Sequence, residues 1–149
     1  GNFKYTTTGN GPDGTGVGPI CLPEISSKDW DYKGQAKISG FGNTKHKGTA
    51  AEKLKFIEEK VLDDKLCERL YGRSNFPYDR KTMVCYGSLR EGTATCQGDS
   101  GGPLVVLVKD HWIQKGIVSY GSACGAGGAP TVFARVKPYR PWIKKICGV

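Results

Sequence analysis

Short bursts of apolar residues, each closed by Gly, Pro or polar turn residues, run along most of the chain and predict strands more than helices. Five bursts read as strands: "GPICLP" (Gly18–Pro23), "GQAKISGFG" (Gly34–Gly42) with Lys37 between apolar neighbours, "KLKFIEEKVL" (Lys53–Leu62), "PLVVLV" (Pro103–Val108) and "WIQKGIVSYG" (Trp112–Gly121). Two stretches carry a helical period instead. "DDKLCERLYG" (Asp63–Gly72) starts on acids and stops at glycine, and "KPYRPWIKKICGV" (Lys137–Val149) sets Trp142, Ile143 and Ile146 on one side. Gly1–Gly18, rich in Gly, Thr and Asn, reads as a loop or frayed end. Short strands at regular spacing with a closing helix predict an antiparallel barrel. No internal repeat or low-complexity segment interrupts this pattern.

Composition narrows the setting. A chain of 149 residues suits one domain with a real core, or half of a larger fold. Its longest apolar run, Pro103–Val108, is too short to span a membrane, and no charged-then-apolar leader stands at Gly1, so a signal peptide is expected to be removed or to belong to another part of a precursor. The six cysteines form no CxxC pair and no Cys/His cluster at zinc spacing; they read as three disulfides in an oxidising, extracytoplasmic compartment, with no metal and no cofactor. The net charge of +8 is spread along the chain, with small clusters at Lys45–Lys47 and Lys137–Lys145. A solvated basic face is the expectation, with neither nucleic acid nor membrane as a partner.

Chemistry enters at "CQGDSGGPLVV" (Cys96–Val106). Acyl transfer by serine needs a hydroxyl held on a sharp turn, with backbone N–H groups aimed at the developing oxyanion. Glycines on both sides of Ser100 permit such a turn and leave room for substrate, which makes Ser100 the candidate nucleophile and Gly98 and Ser100 the candidate oxyanion-hole donors. Asp99, beside the nucleophile, is expected to be largely buried and to need a cationic partner.

In chain order, "GPICLP", "ISGFG", "MVCYG", "CQGDSGGPL", "GIVSYGSACG", "PTVFARV" and "WIKK" resemble the trypsin-like and chymotrypsin-like serine proteases, from "GPICLP" to the carboxyl end. The resemblance implies an all-β fold: an antiparallel six-stranded Greek-key barrel, the second of a chymotrypsin-like double barrel, with a short intermediate helix and a C-terminal helix. Residues 1–17 would then be a loop or linker from the first half, and residues 18–149 the C-terminal barrel. The family's triad histidine and aspartate lie in "TAAHC"-like and "DIALL"-like segments, and neither occurs in this sequence. His46, in a Lys-rich loop, and His111, in a polar turn, read as solvent-facing. A companion chain of a cleaved, secreted two-chain zymogen is therefore expected to supply both triad partners, together with the Ile or Val amino terminus that the family pairs with the residue matching Asp99.

The same resemblance pairs Cys67 with Cys85 and Cys96 with Cys124. Where the family often carries a further bridge stand Ala36 and Val106. Cys21 matches a cysteine that often ties to a propeptide or light chain, and Cys147 has no usual counterpart; they bond to each other or to the companion chain. Ala94 falls where trypsin has the aspartate of its specificity pocket, Thr131 where trypsin and chymotrypsin have glycine, and Gly121 leaves one wall open. Thr95 and Gln97 join the pocket, Gln97 at its mouth, and Ser119, Tyr120 and Gly121 offer backbone to an extended substrate. These residues imply an uncharged, shortened pocket for small to medium apolar residues, unless Ala94 and Thr131 are ordinary loop packing. Trp112, Trp142, Phe41 and Phe133 read as packing aromatics. No Asn-x-Ser/Thr acceptor occurs, and Pro130 stands where sodium-binding relatives carry tyrosine.

Two classes of function follow. One is a serine endopeptidase acting on protein or peptide substrates, with a protein protease inhibitor as a further partner. The other is a catalytically silent homologue that binds without cutting.

Overall fold

The structure, a computed structural model, describes residues 19–26, 34–72, 74–88, 94–121, 124 and 129–149. The expected loop over residues 1–17 lies outside them. Six strands form one antiparallel sheet: β1 (Gln35–Gly40), β2 (Lys55–Lys60), β3 (Met83–Tyr86), β4 (Pro103–Val108), β5 (His111–Tyr120) and β6 (Thr131–Arg135), in the order β2-β1-β4-β5-β6-β3. The two outer strands of that order meet. Val61, just past β2, bridges to Tyr86, Leu62 N–H donates to Cys85 O at 3.0 Å and Gly87 N–H donates to Lys60 O at 3.2 Å, so the sheet closes on itself. Around the closed sheet β4 lies beside β1, β1 beside β2 and β2 beside β3, which is a Greek key.

Closure leaves little free edge and gives each strand an inner face. Ala36 and Ile38 on β1, Leu104 and Val106 on β4, Val118 on β5 and Phe133 on β6 fill the interior with Val84 and Tyr86. Tyr86 fixes the seam, donating its hydroxyl to Ala36 O at 2.8 Å; burial raises its pKa above the ordinary tyrosine value. Ala36 and Val106 are register partners and both buried, so packing occupies the place where the resemblance expected a missing bridge.

Outside the barrel, α1 (Asp64–Tyr71) starts on the Asp63 carboxylate, which accepts from Lys65 N–H at 2.9 Å, and stops at Gly72. It covers a second cluster of Cys67, Tyr71, Cys85 and Val132, and Cys67 is disulfide-bonded to Cys85. Arg135 on β6 pairs with Asp64 at 2.9 Å and donates from Nε to Met83 O, tying the start of α1 to β3 and β6. The last helix, α2 (Arg140–Cys147), has Pro141 in its first turn and closes on left-handed Gly148 (φ 76°), whose N–H donates to Lys144 O.

Four sequence expectations need correction. "GPICLP" makes no strand, only one bridge from Cys21 to Ile113, because Pro19 and Pro23 lack the N–H groups a ladder needs. Strands β3 and β6 are not among the five apolar bursts: they are four and five residues long, and buried positions follow one another in both, so neither shows an alternation. His111 opens β5 and lies in no turn, although it is exposed as expected. Of the four packing aromatics only Phe133 is buried; Phe41, Trp112 and Trp142 are exposed, with Lys37 Nζ over the Trp112 ring at 5.3 Å.

Candidate active site

The Gly98–Gly102 turn is built by its own backbone and clamped to β5. Asp99 N–H donates to Cys96 O at 3.1 Å, and Gly102 N–H returns to Asp99 O at 2.9 Å. Gly101 N–H donates to Val118 O, and Val118 N–H to Gly102 O. Gly98 (φ 93°) and Gly101 (φ 82°) adopt left-handed backbone that a side chain would strain. Ser100, between them, is exposed at the lip of a cavity of about 170 Å³. Neither the Gly98 N–H nor the Ser100 N–H has a hydrogen-bond acceptor among the described residues.

Thr95, Cys96, Gln97, Ser119, Tyr120 and Gly121 line the same cavity, and no charged side chain joins them among the described residues. The Cys96–Cys124 disulfide forms part of the wall. Ser119 is placed by a break in register between Val118 and Tyr120, which turns it out of the β5–β6 ladder towards the cavity. Gly121 is needed for close approach, since a Cβ there would lie 3.2 Å from Thr131 Cα.

Two pocket residues stand elsewhere. Ala94 lines a neighbouring cavity of about 230 Å³ together with Asp99, and Thr95 lines both cavities. Thr131 is buried, with its hydroxyl 3.0 Å from that of Thr95. Asp99 is half-buried, and among the described residues it has backbone partners in place of the expected cation: Oδ1 accepts from Gly42 N–H and Oδ2 from Cys96 N–H, both at 2.9 Å. Any side chain at Gly40 or Gly42 would overlap its carboxylate. His46 and His111 are exposed and line no part of the Ser100 cavity. Cys21 and Cys147 are both unbonded and exposed.

The pattern of the sequence did not single out Tyr71, which supports the cavity from behind. Its ring stands edge-on to Tyr120 at 5.6 Å, and its hydroxyl donates to Pro130 O, next to Thr131. Burial, and then the neighbouring Tyr120, push its pKa up to about 12. The neutral phenol is thus the form the fold favours, so stability is whole below pH 10 and falls as pH rises through about 12. Tyr71→Phe should cost about 1–2 kcal/mol at neutral pH and remove part of that alkaline loss, as read by urea denaturation across the pH range.

Comparison with known proteins agrees with this geometry. The family model described as Trypsin matches residues 9–143. The chain is 35% identical over 125 residues to the venom serine protease Bi-VSP of Bombus ignitus, covering 83% of this chain and 35% of that protein. It is 38% identical over 131 residues to CLIP domain-containing serine protease B4 of Anopheles gambiae, covering 86% and 36%. Over 136 residues it is 37% identical to the suppressor of tumorigenicity 14 protein homolog of Bos taurus, covering 89% and 15%. The chain thus spans about a third or less of the length of these curated relatives. Its closed six-stranded barrel, glycine-flanked serine turn and family match together establish that the chain belongs to the trypsin family.

Proposed function

We propose that this chain is the part of a serine endopeptidase that carries the nucleophile, the oxyanion hole and the specificity pocket. The observation that carries the reading is the placement of Ser100: on a glycine-flanked turn, at the lip of a cavity with no charged side chain in its described lining, beside two backbone N–H groups without acceptors among the described residues. Ser100 Oγ attacks the scissile carbonyl, and the Gly98 and Ser100 N–H groups take the charge that forms on its oxygen. The leaving amine needs a proton and Ser100 must lose one, so a base is required. Neither exposed histidine lines the cavity, and in this reading a companion chain supplies the base and its orienting aspartate.

In this reading Asp99 is the acceptor of an activation ion pair. Its carboxylate borders the 230 Å³ cavity with Ser39, Gly40, Asn43 and Ala94, room enough for a short apolar amino-terminal residue from the companion. The cavity beside Ser100 holds the residue before the scissile bond, and Ser119, Tyr120 and Gly121 bind the extended substrate. With no counter-charge among its described lining, a Lys or Arg side chain would lose its hydration uncompensated, so small to medium uncharged residues of the Ala, Val, Leu and Met class fit best. The two disulfides support the reading that the enzyme works in an oxidising compartment outside the cell. Among the described residues no helix is long and apolar enough to cross a membrane.

A fluorophosphonate probe tests the reading. With the companion present, labelling at neutral pH should map to Ser100; with this chain alone, labelling should fall to background. An unlabelled complete assembly would instead indicate a silent, binding homologue.

A further inference from the structure

The Lys45–Lys47 cluster takes no part in the chemistry derived above, yet the fold sets it beside the serine turn. Residues 43–50 form a small hairpin: Asn43 and Ala50 bridge, Thr44 N–H donates to Thr49 O at 3.4 Å, and Gly48 N–H closes the tip on Lys45 O at 2.9 Å. The hairpin is clamped to the serine turn. Asn43 N–H donates to Gln97 O at 2.8 Å, a Cβ on Gly98 would lie 3.2 Å from Gly42 Cα, and Lys45 O stands 3.6 Å from Cys96 Sγ. The tip is held as closely. A Cβ on Gly48 would fall 2.7 Å from Lys45 Cγ, and Lys47 holds left-handed backbone (φ 56°), which glycine adopts freely and lysine only with strain. Lys45, His46 and Lys47 are exposed, and no described carboxylate pairs with them, the next acid along the chain, Glu52, included.

We infer that the Lys45 and Lys47 ammonium groups form a subsite for the leaving side of the substrate, and that they select Asp or Glu at the second or third residue after the scissile bond. The inference rests on the reading of Ser100 as the nucleophile. A substrate that pairs with Ser119–Gly121 and gives its carbonyl to the Gly98 and Ser100 N–H groups must continue past them. The hairpin meets Gly98 and Gln97 there without lining the Ser100 cavity. Extended chain advances about 3.3 Å per residue, so two or three residues carry a substrate side chain from Gly98 to the level of the hairpin tip. Both lysines are solvated and unpaired, so a carboxylate gains attraction without either partner leaving water. An exposed pair of this kind is modest in strength and screened by salt. A basic residue at the same place meets like charge.

The test uses the complete protease, with its companion chain, and quenched peptides identical up to the scissile bond that carry Glu, Gln or Lys at the second and third residues after it. Wild type should show kcat/KM about five-fold higher for Glu than for Gln, with Lys poorest, and the ratio should shrink towards one as NaCl rises to about 0.5 M. Lys45→Gln combined with Lys47→Gln should bring the Glu-to-Gln ratio to one even at low salt. Lys47→Gly relieves the left-handed backbone, so it should fold about as stably as wild type and still lower the ratio part-way. Lys144→Gln combined with Lys145→Gln removes the same charge from α2, where both residues are exposed, and should leave the ratio as it was. An equal fall there would overturn the assignment to the hairpin. Fluorophosphonate labelling of Ser100 accompanies every variant. A labelled wild type with a ratio of one overturns the inference and leaves the protease reading intact; retention on heparin that the double hairpin change abolishes would then give the cluster to a polyanion instead. Failure of the wild-type assembly to label sinks the protease reading, and this inference with it.

Discussion

Ser100→Ala, in the complete enzyme, is expected to lower kcat by about six orders of magnitude, as loss of the nucleophile does in other triad hydrolases, and to change KM little. The asymmetry follows from the geometry. The Ser100 side chain is exposed at the cavity lip, and the hydrogen bonds that shape its turn are made by backbone groups of Cys96, Asp99, Gly101 and Gly102 and by Val118 on β5. Removing one exposed oxygen leaves the turn, the cavity and both N–H donors in place. Substrate should therefore bind as before, and a fluorophosphonate should no longer react. Single-turnover kinetics with a tight-binding peptide check both halves. Cleavage at more than a thousandth of the wild-type rate would show that another group attacks the carbonyl.

How much of this was legible in the sequence depends on distance along the chain. Strand β1 announces itself because its buried residues alternate with more exposed ones, β4 because an unbroken apolar run is bounded by glycine and polar residues, and α1 because Cys67 and Tyr71 recur at a helical interval. Strands β3 and β6 do not. Val84, Cys85 and Tyr86, like Thr131, Val132 and Phe133, are buried whichever way they point, for α1 and Tyr71 cover the side away from the barrel. They were visible only as motifs of a family. The Ser100 turn is local, five residues long, and could be read directly. Its supports are not local: the Gly42 N–H that meets Asp99 lies 57 positions away, and the Thr131 hydroxyl lies 36 from Thr95. No periodicity carries such pairings. The sequence could show that Asp99 needed partners, but only the fold shows that backbone groups supply two of them. Thr131 was expected in the pocket for the same reason: its position in the chain was known, and the direction of its side chain was not.

The second large effect is expected at Asp99, which reaches the chemistry only through the backbone around it. Its two carboxylate oxygens accept from Gly42 N–H and Cys96 N–H, one from the loop after β1 and one from the strand of chain leading into the Ser100 turn. Asp99→Asn keeps the shape but offers one acceptor for two donors, and sets an NH₂ group against whichever N–H remains. It also removes the negative charge facing the 230 Å³ cavity. The turn holding Gly98 and Ser100 then loses a fixed point, and an incoming amino terminus loses its partner. The second-order rate of fluorophosphonate labelling at Ser100 should fall at least a hundred-fold, with a stability loss of about 2 kcal/mol from the broken charged hydrogen bond. Gly42→Ala separates position from charge, because its methyl group would overlap the carboxylate while the charge stays. If position alone matters, Gly42→Ala should match Asp99→Asn; if the charge matters as well, Asp99→Asn should be the slower of the two. A labelling rate in Asp99→Asn within three-fold of wild type would mean that the turn holds Ser100 without Asp99, and that the 230 Å³ cavity takes no part in activation.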